Sequence, residues 1–302
     1  MDLRYYSFRQ HLRELFNTDI SKICVDAGFT CPNRDGTKGW GGCIYCNENG
    51  SGAPYIKRNL NWEEQFNTRI KEISNKKFII YFQAFSNTYS SPENLEKLYN
   101  SALKKPDVIG ISIGTRPDCV TPEILDLISC LSENSYIWLE YGLESIHDKT
   151  LELINRQHSL NDFLWAYYEA RKRNIRTCIH FINGLPGETI NEMLETAIFI
   201  GKLEPDGVKM HSLYIEKDTQ LHKMYLKEPW KLLTEDEYIE LAARCIENVP
   251  EKTVIHRLVG EAMSDRLVAP EWSKNKQKII QGINNKLAEW NSKQGKKYVK
   301  SN

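Results

Sequence analysis

Cys31, Cys43 and Cys46 place three of the chain's eight thiols within sixteen residues, on the turn-rich stretch CPNRDGTKGWGGCIYCNENGSG. The spacing is Cys-x11-Cys-x2-Cys, and its two-residue gap lets neighbouring thiolates grip one metal ion or adjacent corners of a cluster. Structural zinc takes four ligands, often as CxxC pairs. One pair is complete here and the second is missing, so Cys24 or a histidine would have to serve as the fourth ligand. Three thiolates without an obvious fourth suit a cubane iron–sulfur cluster with one iron left open. Gly36, Gly39, Gly41 and Gly42 permit the backbone angles and close approach that an open iron needs. A plain surface loop is the other reading of them. Cys24, Cys119, Cys130, Cys178 and Cys245 are scattered, as buried small hydrophobes usually are, and no second cysteine cluster marks an auxiliary centre.

The surrounding pattern says what must position this loop. Apolar, β-branched runs occur at KFIIYF from Lys77, VIGISIG from Val108, YIWLEYGL from Tyr136, IRTCIHFI from Ile175, GVKMHSLY from Gly207 and TVIHRLV from Thr253. A shorter one, KICVDA, precedes the cysteine loop. Each is bounded by polar residues or glycine, as buried parallel strands are. Capped helices lie between them: Ser91 precedes Pro92, Thr121 precedes Pro122, and Thr234 forms a capping box with Glu237. SLNDFLWAYYEARKRN and ETINEMLETAIFIGKLE complete the series.

This alternation, at roughly 30–45 residues per unit, predicts right-handed βαβ crossovers and a parallel sheet. The expected fold is α/β: a full or partial (β/α) TIM-like barrel over residues 1–272, with a basic C-terminal extension over 273–302. A doubly wound open sheet is the alternative, although no GxGxxG follows the first strand. In either case chemistry collects at the C-terminal ends of the strands. The cysteine loop, QAFSNTYS, GTRPD, GLES and NGLPGET all fall there and converge on one mouth.

Composition is that of a soluble globular protein, 41% hydrophobic and 26% charged. No run of about 18 apolar residues marks a membrane span, and the opening MDLRYYSFRQHLRELF lacks the marks of a signal peptide. A cytoplasmic location without a disulfide framework is expected. Formal net charge is zero, so the chain as a whole offers no electrostatic case for nucleic acid. The tail from Lys274 to Asn302 differs, with eight lysines against one acid, Glu289. It reads as a solvated terminus or as a phosphate-binding patch, with Trp290 and Tyr298 interleaved for stacking.

Taken together the motifs carry a resemblance. A three-cysteine loop after the first strand of a β/α barrel, with Tyr45 just before the last cysteine, resembles the radical S-adenosylmethionine superfamily. The long first gap departs from the usual C-x3-C-x2-C of that superfamily. CPNRDGTKGWGGCIYC, YFQAFSNTY, GTRPDC, EYGLES, NRQHS, HFINGLPGET and VKMHSLYIEKDTQL, in this order, resemble the YhcC/YtqA group. That group is related to the radical domain of the elongator catalytic subunit, and the likeness runs from about Tyr5 to Trp272. It implies that Cys31, Cys43 and Cys46 hold three irons of a [4Fe-4S] cluster and that the fourth iron binds S-adenosylmethionine. One electron then yields methionine and a hydrogen-abstracting 5′-deoxyadenosyl radical. The cofactor carries the difficult step, and the protein binds, orients and excludes water.

The resemblance also implies site residues. Asn87 and Thr88 occupy the place of a glycine-rich turn near the methionine amino group, although turn formation also explains them. Glu140 in EYGLES matches an acid that meets the ribose hydroxyls, and a carboxylate in an apolar strand is costly unless paired. His158 in NRQHS, Arg171 in EARKRN and His180 in HFINGLPGET stand where relatives carry a polar cofactor ligand, a carboxylate-binding arginine and an acid. A helix arginine is most often solvated, and a strand histidine is commonly a satisfied core residue. Gly184 to Glu188 make a turn that frames the adenine or simply joins strand to helix. By period-2 alternation Lys209 and His211 share a strand face. Neither is a packing residue, so both are candidate catalytic residues, in contact with substrate or adenosyl group. Arg257, Gly260 and Glu261 in HRLVGEA take no assigned role.

For the substrate, the group resemblance implies tRNA, with 5-carboxymethylaminomethyl-uridine at the wobble position converted to 5-aminomethyl-uridine. The implied partners are tRNA, an electron donor such as flavodoxin or ferredoxin, and a tRNA methyltransferase acting next. Two rivals stand beside this: a zinc-stabilised β/α binding protein, and a radical enzyme acting on a small metabolite or a protein side chain.

Overall fold

A computed structural model describes residues 3–50, 52–53, 55–260 and 265–300, so Glu261 lies outside the described residues. The strands are β1 (Ile20–Val25), β2 (Lys77–Phe82), β3 (Val108–Thr115), β4 (Tyr136–Glu144), β5 (Thr177–Asn183), β6 (Gly207–Ser212), β7 (Ile215–Glu216), β8 (Val254–Arg257) and β9 (Leu267–Ala269). The helices are α1 (Phe8–Phe16), α2 (Trp62–Ile70), α3 (Pro92–Leu103), α4 (Pro122–Ser132), α5 (Asp148–Leu153), α6 (Leu160–Lys172), α7 (Ile190–Lys202), α8 (Gln220–Lys227), α9 (Glu235–Glu247) and α10 (Lys276–Glu289). Every apolar run read from the sequence forms a strand, and Ser91, Thr121 and Thr234 cap α3, α4 and α9. GVKMHSLY forms β6 up to Ser212, and β7, just beyond it, leaves the main sheet to pair antiparallel with β9. Among the described residues no helix is long and apolar enough to cross a membrane.

Seven parallel strands make one sheet in the order β1-β2-β3-β4-β5-β6-β8. The sheet curls without closing, so the fold is a partial barrel. Strand alternation decides what lies inside it. On β4, Ile137, Leu139, Tyr141 and Leu143 face the helices and join the main core, while Tyr136 and Trp138 point inward to a separate cluster with Leu12, Ile79, Cys178 and Val254. That inner cluster is a stopper at the N-terminal ends of the strands. Phe8 on α1 stacks on His256 with ring centroids 4.1 Å apart, and His256 meets Trp138 edge-on at 4.4 Å. The chain ahead of α1 ties to the β8 edge, where the Ile255 amide donates to the Tyr6 carbonyl at 2.8 Å. With the lower end filled, polar inward-facing residues collect in the upper half.

The segment after residue 272 is built into the fold and is not a detached extension. Ile279, Ile283 and Leu287 recur at helical spacing on α10, and all three are buried against the main core, with α10 lying on α9. Beyond the helix, Gln294 donates to the Pro250 and Thr253 carbonyls at 2.6 and 2.7 Å. The lysines are largely spent on this chain's own acids. Lys274, Lys278, Lys286, Lys293, Lys297 and Lys300 face Glu271, Glu235, Glu289, Glu251, Glu247 and Glu204. Trp290 lies under Arg244, Lys286 and Lys297, and the Tyr298 hydroxyl donates to Glu204 at 2.5 Å. Ile283→Ala is therefore expected to cost about 2–5 kcal/mol, as buried large-to-small changes do. A lowered urea midpoint checks this, and an unchanged midpoint would show that α10 is dispensable.

Candidate active site

At the C-terminal ends of the strands lies a cavity of about 650 Å³. Cys31, Cys43 and Cys46 line it together with Glu140, His180, Lys209, His211 and Arg257. Residues as far apart in sequence as Lys22 and Arg257 meet here because each sits on an inward strand face or on the loop that follows the strand.

The cysteine loop is held by backbone contacts to the segment after α5. Asn155 donates from its side-chain amide to the Gly42 carbonyl at 2.8 Å, Asn33 donates to the Asn155 carbonyl at 2.5 Å, and the Ile44 amide donates to the Ile154 carbonyl at 3.1 Å. The Cys46 amide donates to the Cys43 carbonyl at 2.9 Å, which closes the CxxC turn. Gly42 has φ +76°, and a Cβ there would stand 2.7 Å from Arg34 Nε, so a side chain is excluded both by conformation and by space. Arg34 uses that space to reach the Cys46 and Asn47 carbonyls at 3.1 and 2.6 Å.

Donors surround the buried thiol. Arg156 Nη1 is 3.5 Å and Asn33 Nδ2 3.8 Å from Cys43 Sγ. Arg156 also donates to the Gly142 carbonyl at 2.7 Å and pairs with Glu144 at 3.2 Å. Gly142 makes this possible, since a Cβ would lie 2.5 Å from Arg156 Nη2. Arg116 is clamped on Asp118 by two bonds of 2.9 Å. Arg116 Nη1 and Arg156 Nε are nevertheless buried without a hydrogen-bond partner among the described residues. Buried donors left open beside thiols fit an anionic group held at those sulfurs.

Among the described residues, the potential metal-ligand atoms lying within 4.8 Å of one another belong to Glu140, Cys178 and His180. They make a poor cage, because two ammonium groups already sit on the carboxylate.

Those two are Lys22 and Lys209. Glu140 is fully buried, and it takes ion pairs from Lys22 and from Lys209 at 3.2 Å and a hydrogen bond from His180 Nε2 at 2.8 Å. Burial raises the pKa of this carboxyl, but Lys209, Lys22 and His180 outweigh it and hold the group well below the usual 4.5. Burial, with Lys22 and Arg257 nearby, pushes Lys209 down to about 8 against the pull of Glu140. Burial and Lys209 bring His180 to about 4. His180 is therefore neutral near pH 7, with its proton on Nε2 facing the carboxylate. Burial and Arg257 likewise keep His211 neutral.

The residues singled out in the sequence are thus distributed unevenly. Glu140, His180, Lys209 and His211 do line the cavity, yet the Glu140 oxygens are already taken by this chain's own cations. Asn87 and Thr88 are buried and engaged in turn geometry: Asn87 donates to the Ala84 and Gly114 carbonyls at 3.0 and 2.9 Å, and Thr88 bonds Thr115 and the Cys119 carbonyl at 2.6 Å each. His158 lies behind the wall, with Nε2 3.2 Å from the Gly142 carbonyl.

Arg171 requires correction. It ends α6 at the opposite end of the sheet and pairs with Asp206 at 2.9 Å, just before β6. The arginine whose guanidinium meets a cysteine sulfur is Arg156, two residues before His158 in NRQHS. The positive φ of its neighbours Asn155 and Gln157, 54° and 58°, bends that loop so that Arg156 turns inward. Sequence reasoning also missed Lys22, Arg116 and Glu144. Glu144 was visible as the second acid of EYGLES, whereas Lys22 carried no motif.

Comparison with known proteins follows the same lines. A family model described as the Radical SAM superfamily matches residues 31–200, and one described as the Radical_SAM C-terminal domain matches 205–289. YtqA of Bacillus subtilis is 39% identical over 97% of this chain and 92% of its own. A tRNA uridine(34) acetyltransferase of Methanocaldococcus infernus is 24% identical, over 63% of this chain and 33% of its own. The solved structure of the archaeal M. infernus Elp3 superposes with a TM-score of 0.68 at 16% identity, covering 91% of this chain and 64% of that one. The chain belongs to the radical S-adenosylmethionine superfamily, within the YhcC/YtqA group and related to the radical domain of Elp3.

Proposed function

We propose that this chain is a radical enzyme of tRNA, converting 5-carboxymethylaminomethyl-uridine at the wobble position to 5-aminomethyl-uridine. The observation that carries the reading is the meeting of Cys31, Cys43 and Cys46 with Lys209, His180 and His211 on one cavity. When bound there, a [4Fe-4S] cluster and S-adenosylmethionine supply a carbon-centred radical that removes hydrogen from carbon. Arg156 and Asn33 aim N–H donors at the Cys43 sulfur, the kind of outer contact that orients a ligating group. Lys209 and His211 face the space where the substrate side chain enters. The CH2 between the side-chain nitrogen and the carboxylate is the chosen carbon, because nitrogen stabilises the radical formed on it. Loss of one further electron to the electron donor gives an iminium, and water then breaks the C–N bond to leave the aminomethyl group and glyoxylate.

A cavity of about 650 Å³ falls within the range of sites for small ligands and admits a flipped-out base more readily than a folded tRNA. The relationship to a protein named as a tRNA uridine(34) acetyltransferase supports the substrate class. Trp40, 74% exposed on the cysteine loop, offers a stacking surface near the mouth. An electron donor such as flavodoxin or ferredoxin and a tRNA methyltransferase acting next complete the scheme.

The test is nucleoside analysis of tRNA from a strain lacking the gene. Accumulation of the carboxymethylaminomethyl form at the expense of aminomethyl-derived forms is expected. An unchanged nucleoside profile would overturn the substrate assignment.

A further inference from the structure

The cations at the base of the cavity exceed its acids. Lys22 and Lys209 face Glu140 and Arg257 lines the same cavity, while the other acids on the cavity wall are engaged nearer the cysteine loop, Glu144 with Arg156 and Glu216 with Asn47 at 2.6 Å. Lys22 and Lys209 are committed to Glu140. Arg257 lies beside Lys209 in the strand register, half-buried at the end of β8, with no hydrogen bond or ion pair to any described residue. Its field nonetheless reaches Tyr81, Lys209 and His211. His211 lines the same wall, its ring centroid 5.8 Å from that of His180, and its nitrogens make no hydrogen bond among the described residues.

A guanidinium inside a cavity, without a partner among the described residues, is a planar fork of donors awaiting a planar anion, the geometry that carboxylates satisfy with two parallel bonds. Holding a cation there without a partner is costly. Since both ammonium groups are neutralised in part by Glu140, Arg257 is the cation at the base of the cavity without an acid partner among the described residues, and one guanidinium matches a monoanion better than a phosphate dianion.

We infer that Arg257, with His211 beside it, anchors a carboxylate carried by the substrate. The enzyme then selects side chains whose reacting carbon lies within a few bonds of a carboxylate. This rests on the proposed tRNA reaction and adds to it the residue that recognises the acid end of the side chain. Arg257 positions the substrate and takes no part in bond breaking.

The experiment measures binding to the purified full-length protein, by ligand-observed NMR, of four probes: N-methylglycine, 5-carboxymethylaminomethyl-uridine, the methyl ester of that nucleoside, and inorganic phosphate. Wild type is expected to bind the free acid at least tenfold more tightly than its ester. Arg257→Gln should erase that preference, and Arg257→Lys should restore part of it. The acid-to-ester ratio in wild type needs no variant, so misfolding of Arg257→Gln leaves the test intact. Equal binding of acid and ester overturns the inference. Tighter binding of phosphate than of either acid overturns the carboxylate assignment. A loss of S-adenosylmethionine affinity in Arg257→Gln, with the acid preference intact, moves the residue to the cofactor and also overturns it. Arg257-dependent binding of N-methylglycine with no gain from the uridine would sustain the anchor while removing support for the tRNA reading.

Discussion

Cys43→Ala is expected to lose both iron–sulfur absorbance and release of 5′-deoxyadenosine, after anaerobic reconstitution with iron and sulfide and addition of dithionite and S-adenosylmethionine. Cys43 is the most buried of the three loop thiols, and donors from two separate segments, Arg156 and Asn33, point at its sulfur. Removing the sulfur takes away one of three anchors and leaves the Arg156 charge facing an empty wall. A cluster held by two thiols is open to solvent and loses iron, so activity should fall to background. Cys130→Ala is the control, since that cysteine is exposed on α4, remote from the cavity. Wild-type iron content and deoxyadenosine yield in Cys43→Ala would place the cluster elsewhere. Stoichiometric zinc without iron in the wild type would return the loop to a structural role.

The second large effect belongs to Glu140→Gln. Neutralising this side chain leaves Lys22 and Lys209 buried with no anion between them. Breaking a buried ion pair from one side costs about 3–5 kcal/mol, against a total stability of about 5–15 kcal/mol for an ordinary domain. The melting temperature should drop on the order of 10 °C.

The pH dependence has a definite sign. Glu140 is held below its ordinary value, so its contribution is present above pH 4.5 and disappears as pH falls toward the depressed native value. Lys209 titrates near 8 in the native protein against 10.5 when free. Between those values the unfolded chain binds the extra proton, so this group's contribution to stability rises with pH across that window. In Glu140→Gln the ammonium loses its stabilising partner, and the window should extend to lower pH. A variant that melts like wild type, with the same pH profile, would show that the lysines do not depend on Glu140.

What the sequence disclosed was periodic or local. Alternation along a strand set Lys209 with His211 on one face, and the capping residues marked α3, α4 and α9 with their neighbours. What it hid depends on curvature and on distant partners. Lys22 and Glu140 lie on strands with two others between them, and they meet only because the sheet curls. Counting lysines in the tail disclosed a charge run but not Glu204, Glu235, Glu247 and Glu251, which reach it from α7, α9 and the turns after them. Arg171 and Arg156 are indistinguishable by type. The choice between them follows from backbone angles at Asn155 and Gln157 that no motif announced. The α1 stopper was equally silent, since FRQHLRELF carries its buried contribution mainly on Phe8 and Leu12.

That stopper has a kinetic consequence. With Phe8, Trp138 and His256 packed across the lower end, the cavity faces the C-terminal ends of the strands. On the proposed tRNA reaction the polymer would seat over that face, so order of addition is the expected kinetic signature: the small reactants bind ahead of tRNA, and turnover slows when tRNA is in excess.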